Sequence, residues 1–105
     1  MLFRKQLSEA LEQALSVARE RGLIPGVNSP EITIERPARP EHGDYACSLP
    51  LKLARVAGLK PMDVAHTLVK NLPPMLNVEK VTVAPPGFIN FSVSRVWLMG
   101  QVNEI

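Results

Sequence analysis

Residues 78–93 read VEKVTVAPPGFINFSV, and this stretch decides the fold. Val81 and Val83 alternate with Lys80 and Thr82, Pro85-Pro86-Gly87 supplies a tight turn, and Phe88 to Val93 alternates again. Period-two patterning on both sides of such a turn predicts two neighbouring antiparallel strands. If Ile89, Phe91 and Val93 face the core, Phe88, Asn90 and Ser92 must point to the opposite face.

Working outward, Glu31 to Arg36 alternates in the same way and predicts a half-buried strand with Ile32 and Ile34 inward; His42 to Cys47 is read as a further short strand. Helical spacing appears three times. Leu2 to Arg21 places Phe3, Leu7, Leu11, Ala14, Leu15 and Ala18 on one face and ends at Gly22. Ser48 stands as an N-cap before Leu49 to Ala57, with Gly58 just past the end. Pro61 opens a third helix carrying Val64, Ala65, Leu68, Val69 and Leu72, and Pro73-Pro74 closes it. Ser94 could cap a last helix that runs to Ile105 without a stop signal. The expected fold class is α+β, a mainly antiparallel four-stranded sheet with helices packed on one face. Residues 1–93 are expected to form the domain, and 94–105 the start of a helix leading into a further part of the protein.

The chain has 105 residues, ten of them prolines, 5% aromatics and a net charge of +2. One core without staples is expected at this length, and 46% hydrophobic residues exclude disorder. Cys47 is the lone cysteine, so no internal disulfide forms. No apolar run approaches the ~20 residues of a membrane span, and the N-terminus lacks a signal-peptide core. A cytoplasmic setting without membrane association is expected.

Residues able to carry catalysis are few. His42 and His66 fall on different elements with no Cys or carboxylate at metal-ligand spacing, Cys47 sits among apolar neighbours, and Asp44 has no partner carboxylate. There is no phosphate-cradling glycine loop. Neither catalytic nor metal-binding residues are expected in this chain, which is non-catalytic alone.

The outer positions of the last strand are more informative. Phe88 and Asn90 stand together there, a ring to stack on an unpaired base and a carboxamide offering a donor and an acceptor to its edge. Each such contact is worth ~1–3 kcal/mol. Two plainer roles fit the same pattern: Phe88 packing under the sheet's edge or a neighbouring domain, and Asn90 satisfying a local backbone group. Charge adds a local excess, since residues 36–60 carry Arg36, Arg39, Lys52, Arg55 and Lys60 against Glu41 and Asp44, a balance of +3. That patch neutralises only a few phosphates, so it would assist RNA binding without supplying all of it.

The run Glu41-His42-Gly43-Asp44-Tyr45-Ala46-Cys47, the helix Leu49 to Ala57 with Gly58-Leu59-Lys60-Pro61, then Val78-Glu79-Lys80-Val81 and Pro86-Gly87-Phe88-Ile89-Asn90-Phe91 resembles the N-terminal additional domain of arginyl-tRNA synthetases. The likeness covers nearly the whole chain. Ser48 departs from it where relatives often have Asn, and Phe88 where many have Tyr. The HIGH-type and KMSKS-type signatures and the anticodon-binding domain do not occur in these residues.

The resemblance implies a domain that reaches the outer corner of tRNA(Arg) and contacts its D-loop, with Phe88 stacking on a D-loop adenine and Asn90 reading its edge. It implies no cofactor for this domain. ATP and Mg²⁺ are implied for a full-length class I aminoacyl-tRNA synthetase in the cytoplasm, which ligates arginine to tRNA(Arg). The partners implied are tRNA(Arg) and the catalytic and anticodon-binding parts of the synthetase, and not DNA. Two other functions stay open on the residues alone: a stand-alone single-stranded-RNA-binding module, and a protein-docking domain that presents the Phe88 face.

Overall fold

The computed structural model describes residues 2–25, 30–37, 43–75 and 77–93. The elements run α1 (Leu2–Glu20), β1 (Ile34–Glu35), β2 (Tyr45–Cys47), α2 (Leu49–Ala57), α3 (Pro61–Lys70), β3 (Val78–Ala84) and β4 (Phe88–Val93). The four strands make one antiparallel sheet in the order β1-β2-β4-β3, so the expected α+β architecture is present. Residues 94–105, read from the sequence as the start of a helix, lie outside the described residues, as do His42 and the side chain of Phe3.

One core joins the apolar stripes of the helices to one face of the sheet. Leu7, Leu11, Leu53 and Leu68 meet Ile34, Cys47, Ile89 and Phe91, all buried. β3 and β4 pair as the alternation requires, with Val81 opposite Phe91, Thr82 opposite Asn90 and Val83 opposite Ile89. An irregularity between Val78 and Lys80 shifts the register, and Val78 packs against the core together with Val81 and Val83.

Local chemistry explains the element ends. Gly22 and Gly58 take positive φ after α1 and α2, and the Leu23 and Leu59 amides reach back to the Ala18 and Ala54 carbonyls, closing each helix. α1 ends at Glu20, one residue before the expected Arg21, and Leu72 falls beyond α3, whose C-cap is Asn71. Ser48 occupies the N-cap position of α2, but its hydroxyl makes no capping bond. The Leu49 amide instead donates to Cys47 Sγ at 3.4 Å, and Pro50 has no N–H to satisfy. β1 is shorter than the alternation from Glu31 to Arg36 suggests, because only Ile34 and Glu35 find partners on β2. Ile32 still packs against the core as expected.

Candidate nucleic-acid interface

Two glycines and one carboxylate hold β4 in place. Gly43 enters β2 with φ +101°, and a Cβ there would lie 2.8 Å from the Phe91 carbonyl oxygen. That approach lets the Asp44 amide donate to the same carbonyl at 2.8 Å, while Asp44 Oδ2 accepts from the Val93 amide at 2.7 Å. Asp44 is therefore a structural clamp on the end of β4. Gly87 ends the turn before β4, where a Cβ would meet Pro61 Cβ at 2.6 Å; its lack of a side chain lets the hairpin tip sit against the start of α3 and Leu51 of α2. Phe88 follows directly.

The face of the sheet away from the helices carries a cavity of about 280 Å³. Phe88, Asn90, Ala46 and Ala84 line it from the sheet, and Glu35, Arg36, Pro37 and Pro85 from the strand ends around it. Ladder register accounts for its shape. Ala46 sits opposite both Glu35 and Asn90, so a methyl group occupies the position between them where a larger side chain would fill the space. Ala84, opposite Phe88, is small in the same way. The volume is near the lower limit of small-ligand pockets, enough for one planar ring system and too little for an oligonucleotide.

The structure thus brings the two sequence-derived site residues together, with one change. Phe88 is half-buried, whereas Asn90 is only 4% exposed: it faces away from the core as parity requires, yet is recessed into the sheet surface. Among the described residues no hydrogen bond holds its carboxamide. The proposed alternative role, satisfying a nearby backbone group, is therefore unoccupied by any described partner. Sequence reasoning missed Ala46, Glu35, Arg36 and Pro37 as cavity residues. Short side chains on a strand leave no signal of their own, and the signal for Arg36 lay only in the local charge excess.

A second hollow, of about 570 Å³, lies between α1 and residues 30–32. Glu12, Glu20 and Glu31 line it against Arg19 alone, a carboxylate-rich surround that repels phosphate. Cys47 is wholly buried, which pushes its thiol pKa upward, and His66 is exposed on α3. Among the described residues no three His, Cys, Asp or Glu side chains gather as metal ligands, and no helix is long and apolar enough to cross a membrane.

Residues 2–93 match the family model of the arginyl tRNA synthetase N terminal domain. This chain belongs to that family. The domain is 46% identical over 97 residues to the arginine–tRNA ligase of Dehalococcoides mccartyi, a match covering 92% of this chain and 17% of that protein. Against the arginine–tRNA ligase of Pseudomonas paraeruginosa the identity is 35% over 98 residues, 93% of this chain and 17% of the relative. The domain thus spans about a sixth of the length of these relatives. The solved arginyl-tRNA synthetase of Thermus thermophilus superposes with a TM-score of 0.74 and 28% identity, over 93% of the domain and 15% of that chain. That of Plasmodium falciparum gives the same TM-score at 14% identity, over 91% of the domain and 17% of that chain, which speaks for the fold.

Proposed function

We propose that this domain binds tRNA(Arg) by taking an unpaired D-loop base at the outer corner of the tRNA into the Phe88–Asn90 cavity. Phe88 stacks on the base, and Asn90 reads its edge with one donor and one acceptor. Adenine matches that pair of groups, through its amino group and an adjacent ring nitrogen. The observation that carries the reading is the state of Asn90. Its carboxamide lines the cavity without a bond from any described residue, so a base edge placed there can engage both its donor and its acceptor. Membership of the synthetase family supports the choice of ligand.

On this reading the chemistry lies elsewhere. The full-length enzyme joins arginine to tRNA(Arg) with ATP and Mg²⁺ in the cytoplasm, residues 1–93 serve as its tRNA-binding N-terminal domain, and 94–105 lead toward the catalytic part. None of the described residues is assigned to ATP or Mg²⁺. The domain's near-neutral charge suits this division, since it adds one base contact to an affinity carried mostly by other surfaces.

The test is charging of tRNA(Arg) by the full-length enzyme with Phe88→Ala or Asn90→Ala. Each should cost ~1–3 kcal/mol in kcat/KM for tRNA, with kcat for a saturating tRNA little changed. Wild-type charging kinetics in both variants would overturn the base-binding role. Loss of a protein contact alongside unchanged charging would favour a docking face instead.

A further inference from the structure

The strand register lays Glu35, Ala46, Asn90 and Thr82 side by side across the sheet, on the face away from the core row of Ile34, Cys47 and Ile89. Glu35 and Asn90 thus flank the Ala46 methyl group, their strands two spacings or roughly 9–10 Å apart, and both line the cavity. A carboxamide offers one donor group and one acceptor, and it fits a base edge in either sense by turning over. The Watson–Crick edge of every base has a donor beside an acceptor, so Asn90 by itself favours no base. A carboxylate has fixed polarity, because it only accepts. Among the described residues, Arg36 is the other charged group bordering the cavity. Its guanidinium carbon lies 5.5 Å from the centre of the Tyr45 ring, which packs with the core on the opposite face, and that of Arg4 lies 5.8 Å from the same centre. The charge turned to the cavity is therefore that of Glu35.

We propose that Glu35 selects the base in the cavity by accepting a hydrogen bond from its exocyclic amino group, while Asn90 pairs with the same edge. This rests on the base-cavity reading and supplies the selectivity that the amide lacks. The 6-amino group of adenine carries two N–H bonds. One donates to Asn90 Oδ1 and the other to the Glu35 carboxylate, and Asn90 Nδ2 donates to the adjacent ring nitrogen. A base with a carbonyl oxygen in that place, such as uracil or hypoxanthine, turns lone pairs toward the carboxylate and is rejected by like polarity. The same negative charge repels phosphate, so a nucleotide enters the cavity by its base. Ala46 completes the arrangement, since a larger side chain between the two strands would hold the base edge away from the carboxylate.

The experiment measures binding of fluorescein-labelled tRNA(Arg) to the full-length synthetase by anisotropy, with each D-loop adenosine replaced in turn by inosine, which exchanges the 6-amino group for an oxygen. At the position the domain reads, wild type should bind the inosine tRNA about tenfold more weakly than the adenosine tRNA. Glu35→Gln, whose amide can donate to that oxygen, should bring the two affinities within about threefold, chiefly by improving the inosine tRNA. Glu35→Ala should lose affinity for the adenosine tRNA and narrow the ratio as well. Equal affinity of wild type for both tRNAs at every position, or a ratio that Glu35→Gln leaves unchanged, overturns the role of Glu35. Asn90→Ala separates that result from failure of the cavity itself. Weaker binding of the adenosine tRNA by Asn90→Ala, with the ratio unchanged in Glu35→Gln, removes Glu35 and leaves the base reading standing. Wild-type binding by Asn90→Ala, together with no inosine effect at any position, overturns both.

Discussion

Strand β4 presents two faces built by the same six residues, and they have opposite fates. Ile89, Phe91 and Val93 point into the core and are buried under α1, α2 and α3. Phe88, Asn90 and Ser92 point the other way, where the described helices do not reach and a cavity opens at Asn90. Both faces exclude water from a side chain, but only the inner one does so with matched apolar surface. The outer one recesses an amide beside a cavity, with no hydrogen bond to it among the described residues. A strand can therefore use one parity for stability and the other to hold a polar group in waiting, since opposite faces interact with different neighbours.

Substitutions that separate the two faces test this contrast. The largest effect is expected on the inner side, where Phe91→Ala should destabilise the domain by ~3–5 kcal/mol, read as a lower urea midpoint. A loss under 1 kcal/mol would mean that β4 does not anchor the core. Gly87→Ala comes next, because its Cβ meets Pro61 Cβ at 2.6 Å and forces the hairpin tip away from α3. A destabilisation of about 1–3 kcal/mol is expected, together with weaker RNA binding because Phe88 moves with the tip. On the outer face, Asn90→Leu should reverse the pattern: unfolding free energy equal to wild type or higher by about 0.5–1 kcal/mol, with tRNA affinity reduced about tenfold or more. Strong destabilisation by Asn90→Leu would show the amide to be a structural bond and would join the two faces into one function.

The smallest effect concerns Cys47, whose thiol pKa is raised above its ordinary 9.0 by burial, with the Leu49 amide and Lys52 opposing the shift. A raised folded-state pKa means that the unfolded chain releases the thiol proton first. Stability from this group is complete below that ordinary value and declines as pH rises through the folded one. Iodoacetamide at pH 8 should accordingly label the native protein slowly and the urea-unfolded protein fast. Equal rates would place Cys47 at the surface of a loosened inner face.

Much of the fold was legible before any coordinates, because it rests on short-range rules. Gly58 past α2, Pro61 at the start of α3 and the proline–glycine turn before Phe88 each act within a few residues of their own position. Where the reading fell short, the missing information came from distant residues. The pattern from Glu31 to Arg36 could not show that β2 offers partners to Ile34 and Glu35 alone. Asp44 suggested a turn or cap, and its actual partner, the Val93 amide, is 49 residues away. The Ser48 hydroxyl fitted a cap rule that the Cys47 thiol and Pro50 made unnecessary.

The candidate site divides along the same line. Alternation alone determined that Phe88 and Asn90 share the face away from Phe91, since a strand's side chains must alternate whatever surrounds them. Only the tertiary structure decided that Asn90 is recessed in a cavity. Its depth is set by Ala46 across the ladder, by Pro85 at the hairpin tip and by Arg36 and Pro37 at the end of β1, and no local rule couples residues so far apart in the chain. The same holds for Tyr45, whose two arginines come from α1 and from the end of β1 and meet only when the sheet closes against the helix. Local sterics set which way a side chain points, and long-range packing sets what it meets there.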